Sequence, residues 1–154
     1  MDSILRRLDE AIVGFRVATQ RPAYRDRLLA GIPVDIGIAS LGLLRSVERL
    51  TEDGTGPSIR QVATNLGVEH STASRTTDGM VRAGLVSRDR CADDQRQARL
   101  QLTEEGHAAL AAATARRQEV LAELVEDWDE DDLSTLAGLL GRMRDTFDEE
   151  FGRR

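Results

Sequence analysis

Residues 58–82 read SIRQVATNLGVEHSTASRTTDGMVR, and this stretch decides the fold. Ser58 is a residue type that favours the N-cap of a helix, and apolar side chains recur at three- and four-residue steps up to Leu66. Gly67 supplies the left-handed position that ends a short helix, and a second short helix follows from residue 70 or 71 to residue 82. Two short helices joined by a tight glycine turn predict a helix-turn-helix at 58–82.

A polar hairpin is predicted directly after this stretch. Residues 85–90 and 97–102 have the composition of two short strands, and residues 98–102 alternate apolar and polar side chains. The residues between them, CADDQR, form a polar tip. A hairpin that directly follows a helix-turn-helix is a wing, which we place at about residues 85–102.

Amphipathic helices are predicted on both sides of this core. Apolar residues repeat with helical spacing over 3–20 and over 35–50, where Asp35 is the expected N-cap. Thr103 is expected to cap a long helix that runs to about residue 127, and Asp129 to cap a last helix. The fold class is therefore mainly α with a small β-wing.

The predicted architecture is one domain over residues 1–154. An N-terminal helix and its connection (1–34) precede a winged helix-turn-helix core (35–102), and C-terminal helices (103–154) follow it. The terminal helices carry apolar stripes longer than a small winged domain can bury, so we expect them to form a dimerisation lobe with a symmetry-related copy. The residues expected in that lobe are Leu5, Leu8, Ile12, Leu136, Leu140, Met143, Phe147 and Phe151.

The net charge of −6 conceals one locally basic segment. Residues 58–101 hold seven arginines against five acidic residues, whereas the rest of the chain holds 14 arginines against 22 acidic residues. Charge asymmetry of this kind indicates a polyanionic partner. The five aromatic residues all lie outside basic stretches, which argues against single-stranded nucleic acid.

Catalysis and metal binding find no support in the sequence. The single cysteine excludes an internal disulfide and any multi-cysteine zinc site. There is no glycine-rich phosphate loop, no nucleophile with a plausible neighbouring histidine and no metal-ligand spacing. We expect a protein that is not an enzyme and that holds no cofactor or metal. Because no run of about 18 apolar residues and no secretory signal are present, we expect it to be cytoplasmic.

Five short sequence blocks follow one another in a recognisable order and spacing. They are Val62-Ala63-x-x-Leu66-Gly67-Val68, Ser71-Thr72-Ala73-Ser74-Arg75, Gly84-Leu85-Val86-x-Arg88, Asp94-x-Arg96 and Leu102-Thr103-x-x-Gly106. In these blocks the chain resembles the MarR family of bacterial transcriptional regulators. The resemblance implies a homodimer that binds a pseudo-palindromic operator in double-stranded DNA, acts as a repressor and is released by a small-molecule effector.

The chain departs from that family's pattern inside the second helix of the helix-turn-helix. The family usually has apolar residues where this chain has Thr76 and Thr77. Gly79 lies in the same helix and lowers the stability of the helix by about 1 kcal/mol relative to alanine. These departures predict a helix that is loosely held when DNA is absent.

The same helix carries the candidate DNA-reading residues. A recognition helix presents short polar groups and a long hydrogen-bond donor to the major groove. Arg75 is placed to bind O6 and N7 of guanine, whereas Ala73, Thr77 and Met80 are expected to face the domain. The residues expected to contact DNA are His70, Ser71, Thr72, Ser74 and Arg75.

The wing carries further candidate DNA contacts. Arg88, Arg90 and Arg96 lie within nine residues of one another, and Arg96 at the tip suits a narrow minor groove. The resemblance implies that Asp94 orients the guanidinium of Arg96.

Two alternatives remain open. The first is a winged-helix module that assembles with another protein and does not bind DNA. The second is a redox-sensing regulator that acts through Cys91, beside the wing tip. We favour an incidental exposed thiol at Cys91, because the peroxide-sensing branch of the family has a cysteine near the start of its first helix and this chain has none there.

Overall fold

The computed structural model describes residues 2–32, 36–90 and 98–152. Within these ranges the helices are α1 (Asp2–Thr19), α2 (Pro22–Leu29), α3 (Ile38–Leu50), α4 (Ile59–Leu66), α5 (His70–Arg82), α6 (Glu104–Leu124) and α7 (Glu130–Phe151). The strands β1 (Val86–Arg90) and β2 (Ala98–Leu102) pair as an antiparallel hairpin. The predicted fold class, mainly α with a small β-wing, is confirmed.

The chain forms two compact units, Met1–Val120 and Leu121–Arg154. The first unit holds the hydrophobic core, to which α3, α4, the hairpin and α6 all contribute buried side chains. In the second unit, α7 has no buried residue among those that the structure describes. The fully buried core residues of the first unit include Leu43, Leu44, Val47, Val62, Leu85 and Leu100.

The start of α3 corrects one prediction. The sequence predicted a helix over 35–50 with Asp35 as its N-cap, but α3 begins at Ile38 and its N-cap is Gly37, with φ −85° and ψ 169°. Ile36 precedes the helix and is only 6% exposed, so it joins the core from a non-helical segment. Ile36 therefore continued the apolar helical spacing of the sequence without belonging to the helix.

The helix-turn-helix has the local structure that its sequence predicts. The Oγ of Ser58 accepts a hydrogen bond from the N–H of Gln61 at 3.3 Å, and Oε1 of Gln61 accepts one from the N–H of Ser58 at 2.9 Å. This reciprocal capping box begins α4. Gly67 ends the helix in the left-handed conformation, with φ 63° and ψ 34°. The predicted cap at Ser58 and the predicted glycine turn are therefore confirmed.

The hairpin follows α5 in the expected place. Val86 lies opposite Leu102, and the register continues to Arg90 opposite Ala98. Because cross-strand partners share a face, the buried residues Val86 and Leu100 mark the side of the hairpin that faces the core. The predicted tip at residues 91–96 lies outside the described residues.

The loop that precedes α4 lies directly against β2. The N–H of Leu100 donates to the carbonyl of Pro57 at 2.9 Å, and Nε2 of Gln101 donates to the carbonyl of Gly54 at 2.7 Å. A Cβ atom at Gly56 would lie 1.7 Å from the carbonyl oxygen of Leu100. Only glycine allows this approach of two backbones, so the base of the hairpin depends on the residue at position 56.

The end of α5, the hairpin and the start of α6 meet at the backbone of Leu85. Its N–H donates to the carbonyl of Met80 at 3.0 Å, and its carbonyl accepts the N–H of Thr103 at 3.1 Å. The Oγ1 of Thr103 donates to the carbonyl of Gly84 at 2.6 Å and accepts the N–H of Gly106 at 3.0 Å. Thr103 therefore caps α6, as predicted, and also binds the residue that ends the turn after α5.

The terminal helices lie close to their predicted positions. A helix was expected over 3–20 and α1 is observed at Asp2–Thr19, while α2 begins at Pro22, which takes the N1 position. The carboxylate of Asp129 accepts the N–H of Asp132 at 2.7 Å, so the predicted cap of α7 is confirmed. No helix in the described part of the chain combines the length and the apolar character needed to cross a membrane.

Two glycine-to-alanine changes are expected to act in opposite directions. In Gly56→Ala the new methyl group meets the backbone of Leu100, so we expect the free energy of unfolding to fall by about 1–3 kcal/mol. In Gly79→Ala the methyl group meets only the end of the Arg82 side chain, at 4.0 Å. We expect this change to raise the free energy of unfolding by about 0.5–1 kcal/mol, because alanine is the better helix former.

Urea denaturation followed by circular dichroism measures both values. Equal stability of the two variants would contradict the close approach at Gly56.

Candidate nucleic-acid interface

One side of α5 packs into the domain. Ala73, Thr77 and Met80 are buried, which confirms the prediction that these residues face inward. Thr77 is 0% exposed, and its Oγ1 donates a hydrogen bond to the carbonyl of Ala73 at 2.8 Å. The buried hydroxyl is thus satisfied within its own helix, so a threonine at this core position does not leave an unpaired polar group.

The other side of α5 presents the residues predicted to read DNA. His70, Ser71, Thr72 and Arg75 are exposed, and Ser74 is half-buried. The helix begins after Glu69, whose side chain does not cap it, so the N-terminal backbone N–H groups receive no side-chain cap. The structure therefore brings the five predicted residues together over the first two turns of one helix.

A mixed row of charges continues along this surface of α5. Ser71, Arg75, Asp78 and Arg82 follow one another at four-, three- and four-residue steps, which places them on one face of the helix. Asp78 lies between the two arginines of this row. It was not among the residues predicted from the sequence to belong to the site. The three-residue spacing from Arg75, which puts Asp78 on the same face of the helix, is the feature of the sequence that could have identified it.

Arg88 of the wing lies against α5. Its Nη2 donates to Oδ1 of Asp78 at 2.5 Å, and the two side chains are 34% and 44% exposed. Arg88 lies on the same face of the hairpin as the buried residues Val86 and Leu100, two residues after Val86 on β1. Of the other wing arginines predicted to contact DNA, Arg90 pairs through its backbone with Ala98, and Arg96 lies outside the described residues. Asp94, predicted to orient Arg96, and Cys91 lie outside them as well.

Arg99 anchors the opposite face of the hairpin to the start of α4. Its Nη1 donates to Oε1 of Gln61 at 3.2 Å, and the same oxygen accepts from the N–H and the Oγ of Ser58 at 2.9 and 3.0 Å. Within the described part of the chain, Nε of Arg99 is buried without a hydrogen-bond partner. Gln61 is thus both the second half of the capping box and the contact between α4 and β2. The position of Gln61 three residues after Ser58 is the feature of the sequence that could have predicted its part in the capping box.

These elements define a winged helix-turn-helix protein. An eight-residue helix, a left-handed glycine turn and a 13-residue helix are followed by a two-stranded hairpin, and the hairpin is bonded to both helices.

Comparison with known proteins agrees with this class. Residues 45–98 match the model of the MarR family. A MarR family protein from Bacillus stearothermophilus superposes with a TM-score of 0.79 at 18% identity, over 96% of this chain and 97% of that chain. Streptococcus pneumoniae FabT in complex with DNA gives 0.72 at 16% identity, over 94% and 98% of the two chains. A mutant of S. aureus MepR bound to an oligodeoxyribonucleotide gives 0.58 at 21% identity, over 96% and 98% of the two chains.

At these identities the three likenesses establish the fold. The match of residues 45–98 to the MarR family model confirms the resemblance predicted from the sequence.

Proposed function

We propose that this chain is a transcriptional repressor that binds a pseudo-palindromic operator in double-stranded DNA as a homodimer. One observation carries the proposal. The face of α5 that is not packed into the domain presents short polar side chains and Arg75, and a hairpin lies bonded to the same helix. A helix of this kind enters the major groove, where hydroxyls and a guanidinium read base edges.

The exposed residues of α5 divide between two roles in this proposal. His70, Ser71 and Thr72 lie in the first turn, where uncapped backbone N–H groups attract a phosphate, so they fix the position of the helix. Ser74 and Arg75 lie further along the helix and reach base edges. Arg75 is the residue that reads guanine, since its planar guanidinium can donate to O6 and N7 together.

The wing extends the same interface. We assign Arg90 and Arg96 to the minor groove or its phosphates, with Asp94 orienting Arg96, on the basis of their sequence positions near the tip. The DNA complexes of FabT and MepR, which share the fold, support a nucleic-acid partner for this chain.

Exposed apolar side chains support the homodimer. On α1, Leu5, Leu8 and Ile12 are exposed. The exposed large apolar side chains of α7 range from 39% exposed at Leu136 to 76% exposed at Phe151. The rings of Phe147 and Phe151 lie 5.6 Å apart and form an aromatic pair on that surface. Soluble monomers rarely expose large contiguous apolar patches, so we infer that a second copy covers these helices. Leu140 and Met143 belong to the same stripe on α7.

A cleft in the first unit supports control by a small-molecule effector. It has a volume of about 160 Å³ and lies between α2, α3 and α6. Leu28, Ile38 and Leu41 supply apolar walls, and Arg45 and Arg117 supply positive charge. A space of this size holds about one ring, and guanidinium groups favour a carboxylate or phenolate on it. Because α3 packs against α4 and α5, an occupant of the cleft is placed to shift the recognition helix.

A winged-helix module for protein assembly is the second candidate, and the same polar face of α5 would then bind a protein. Affinity for a palindromic duplex that weakens as salt rises separates the two functions, because phosphate contacts release counterions. A redox function through Cys91 requires peroxide to release DNA from the wild type and not from Cys91→Ser.

Arg75→Ala tests the assignment of base reading. We expect it to weaken binding to the cognate duplex by about 1–3 kcal/mol and to relax the sequence preference at one position per half-site. Arg142→Ala is the matched control, since it removes the same charge from an exposed position on α7 and is expected to leave binding unchanged. The measurement is duplex affinity for cognate and scrambled sites. Wild-type affinity in Arg75→Ala would remove α5 from the DNA-binding surface.

Leu140→Glu tests the dimer. Light scattering of the wild type should give twice the 17.0 kDa mass of the chain at micromolar concentration, and Leu140→Glu should lower that mass towards one copy. Val68→Glu places the same charge on an exposed apolar residue between α4 and α5 and should remain dimeric. A wild type that scatters as a single copy would refute the homodimer.

A further inference from the structure

We propose that Arg88 is a positioning residue, which holds the hairpin against α5 through Asp78 and does not itself contact DNA. The inference rests on the proposed function, because it assigns a role within the same interface. It changes the role that the sequence predicted for Arg88, which was direct contact with DNA.

The strand register places Arg88 on the inward face of the hairpin. Val86, two residues earlier on the same strand, is buried, and so is Leu100, the cross-strand partner of Arg88. Because side chains alternate along a strand, Arg88 leaves the hairpin on the side that packs against the domain.

The guanidinium of Arg88 already has a partner on α5. Oδ1 of Asp78 accepts a hydrogen bond from Nη2 of Arg88 at 2.5 Å. Asp78 has Arg75 and Arg82 at i−3 and i+4 on its own helix, yet it bonds across to the hairpin. The ion pair is therefore a cross-link between the recognition helix and the wing.

The opposite face of the hairpin has its own anchor, which is the bond from Arg99 to Gln61 at the start of α4. One arginine on each face thus joins the hairpin to one helix of the helix-turn-helix. Of these two bonds, only the Arg88–Asp78 pair ties the wing to the helix that carries Arg75. It sets the position of the wing relative to the base-reading side chain, and both must meet the duplex at the same time.

Variants at Asp78, at Arg88 and at both positions distinguish a positioning role of Arg88 from direct contact with DNA. We expect Asp78→Asn and Arg88→Gln to weaken duplex binding by similar factors, about threefold to tenfold, and the double variant to lose no more than either single variant. Asp78→Asn removes a negative charge from the DNA-facing helix, so simple electrostatics predicts tighter binding for it. The slope of log Kd against log salt should stay at the wild-type value in Arg88→Gln, whereas a lost phosphate contact would lower it by about one.

Amide hydrogen exchange of the free protein gives a readout that does not require DNA. In either single variant the amides of β1 and β2 should exchange about threefold to tenfold faster, while those of α3 keep their protection. The charge-swapped variant Asp78→Arg with Arg88→Asp should restore protection of the hairpin. Asp9→Asn is the matched control, because it makes the same charge change at an exposed position on α1, outside the helix-turn-helix and the hairpin.

The outcomes separate the two proposals. Unchanged exchange in both single variants, or a reduced salt slope in Arg88→Gln with unchanged binding in Asp78→Asn, would overturn the positioning role. If the wild type binds no duplex, the proposed function fails, and the exchange rates still decide whether the pair holds the hairpin.

Discussion

The backbone of Leu85 is the point on which the winged domain depends. Its N–H closes the end of α5 and its carbonyl binds the residue that caps α6, so the backbone of one residue links α5, the hairpin and α6. A Cβ atom at Gly106 would lie 2.0 Å from that carbonyl oxygen, so α6 can approach only because position 106 is glycine. The relative placement of the recognition helix and the hairpin follows from this junction, and the Arg88–Asp78 pair adds to it further out.

The two departures from the family pattern in α5 have different physical consequences. Thr77 takes a core position usually held by an apolar residue, but its hydroxyl bonds to the carbonyl of Ala73, so the buried side chain leaves no unpaired polar group. Gly79 lowers the helix propensity without removing a contact. The inward face of α5 is therefore buried without an unpaired hydroxyl at Thr77, and the helix-propensity cost lies at position 79.

Local chemistry made most of the fold predictable from sequence. The capping box at Ser58, the turn at Gly67 and the caps at Thr103 and Asp129 each depend on a few adjacent residues, and all are observed. The predicted cap at Asp35 was wrong because burial of Ile36 outside the helix is a tertiary effect. The partners of Arg88 and Arg99 were not predicted, since both bonds join residues brought together only by the packed hairpin.

We propose that a symmetric pair of α5 helices reads DNA sequence. Selection of duplexes from a random pool by the wild-type protein tests it most directly. We expect enrichment of an inverted repeat whose half-site centres lie about one helical turn, 10–10.5 bp, or a multiple of it apart. A pool that shows no enrichment, or one that converges on isolated sites without a repeat, would contradict it.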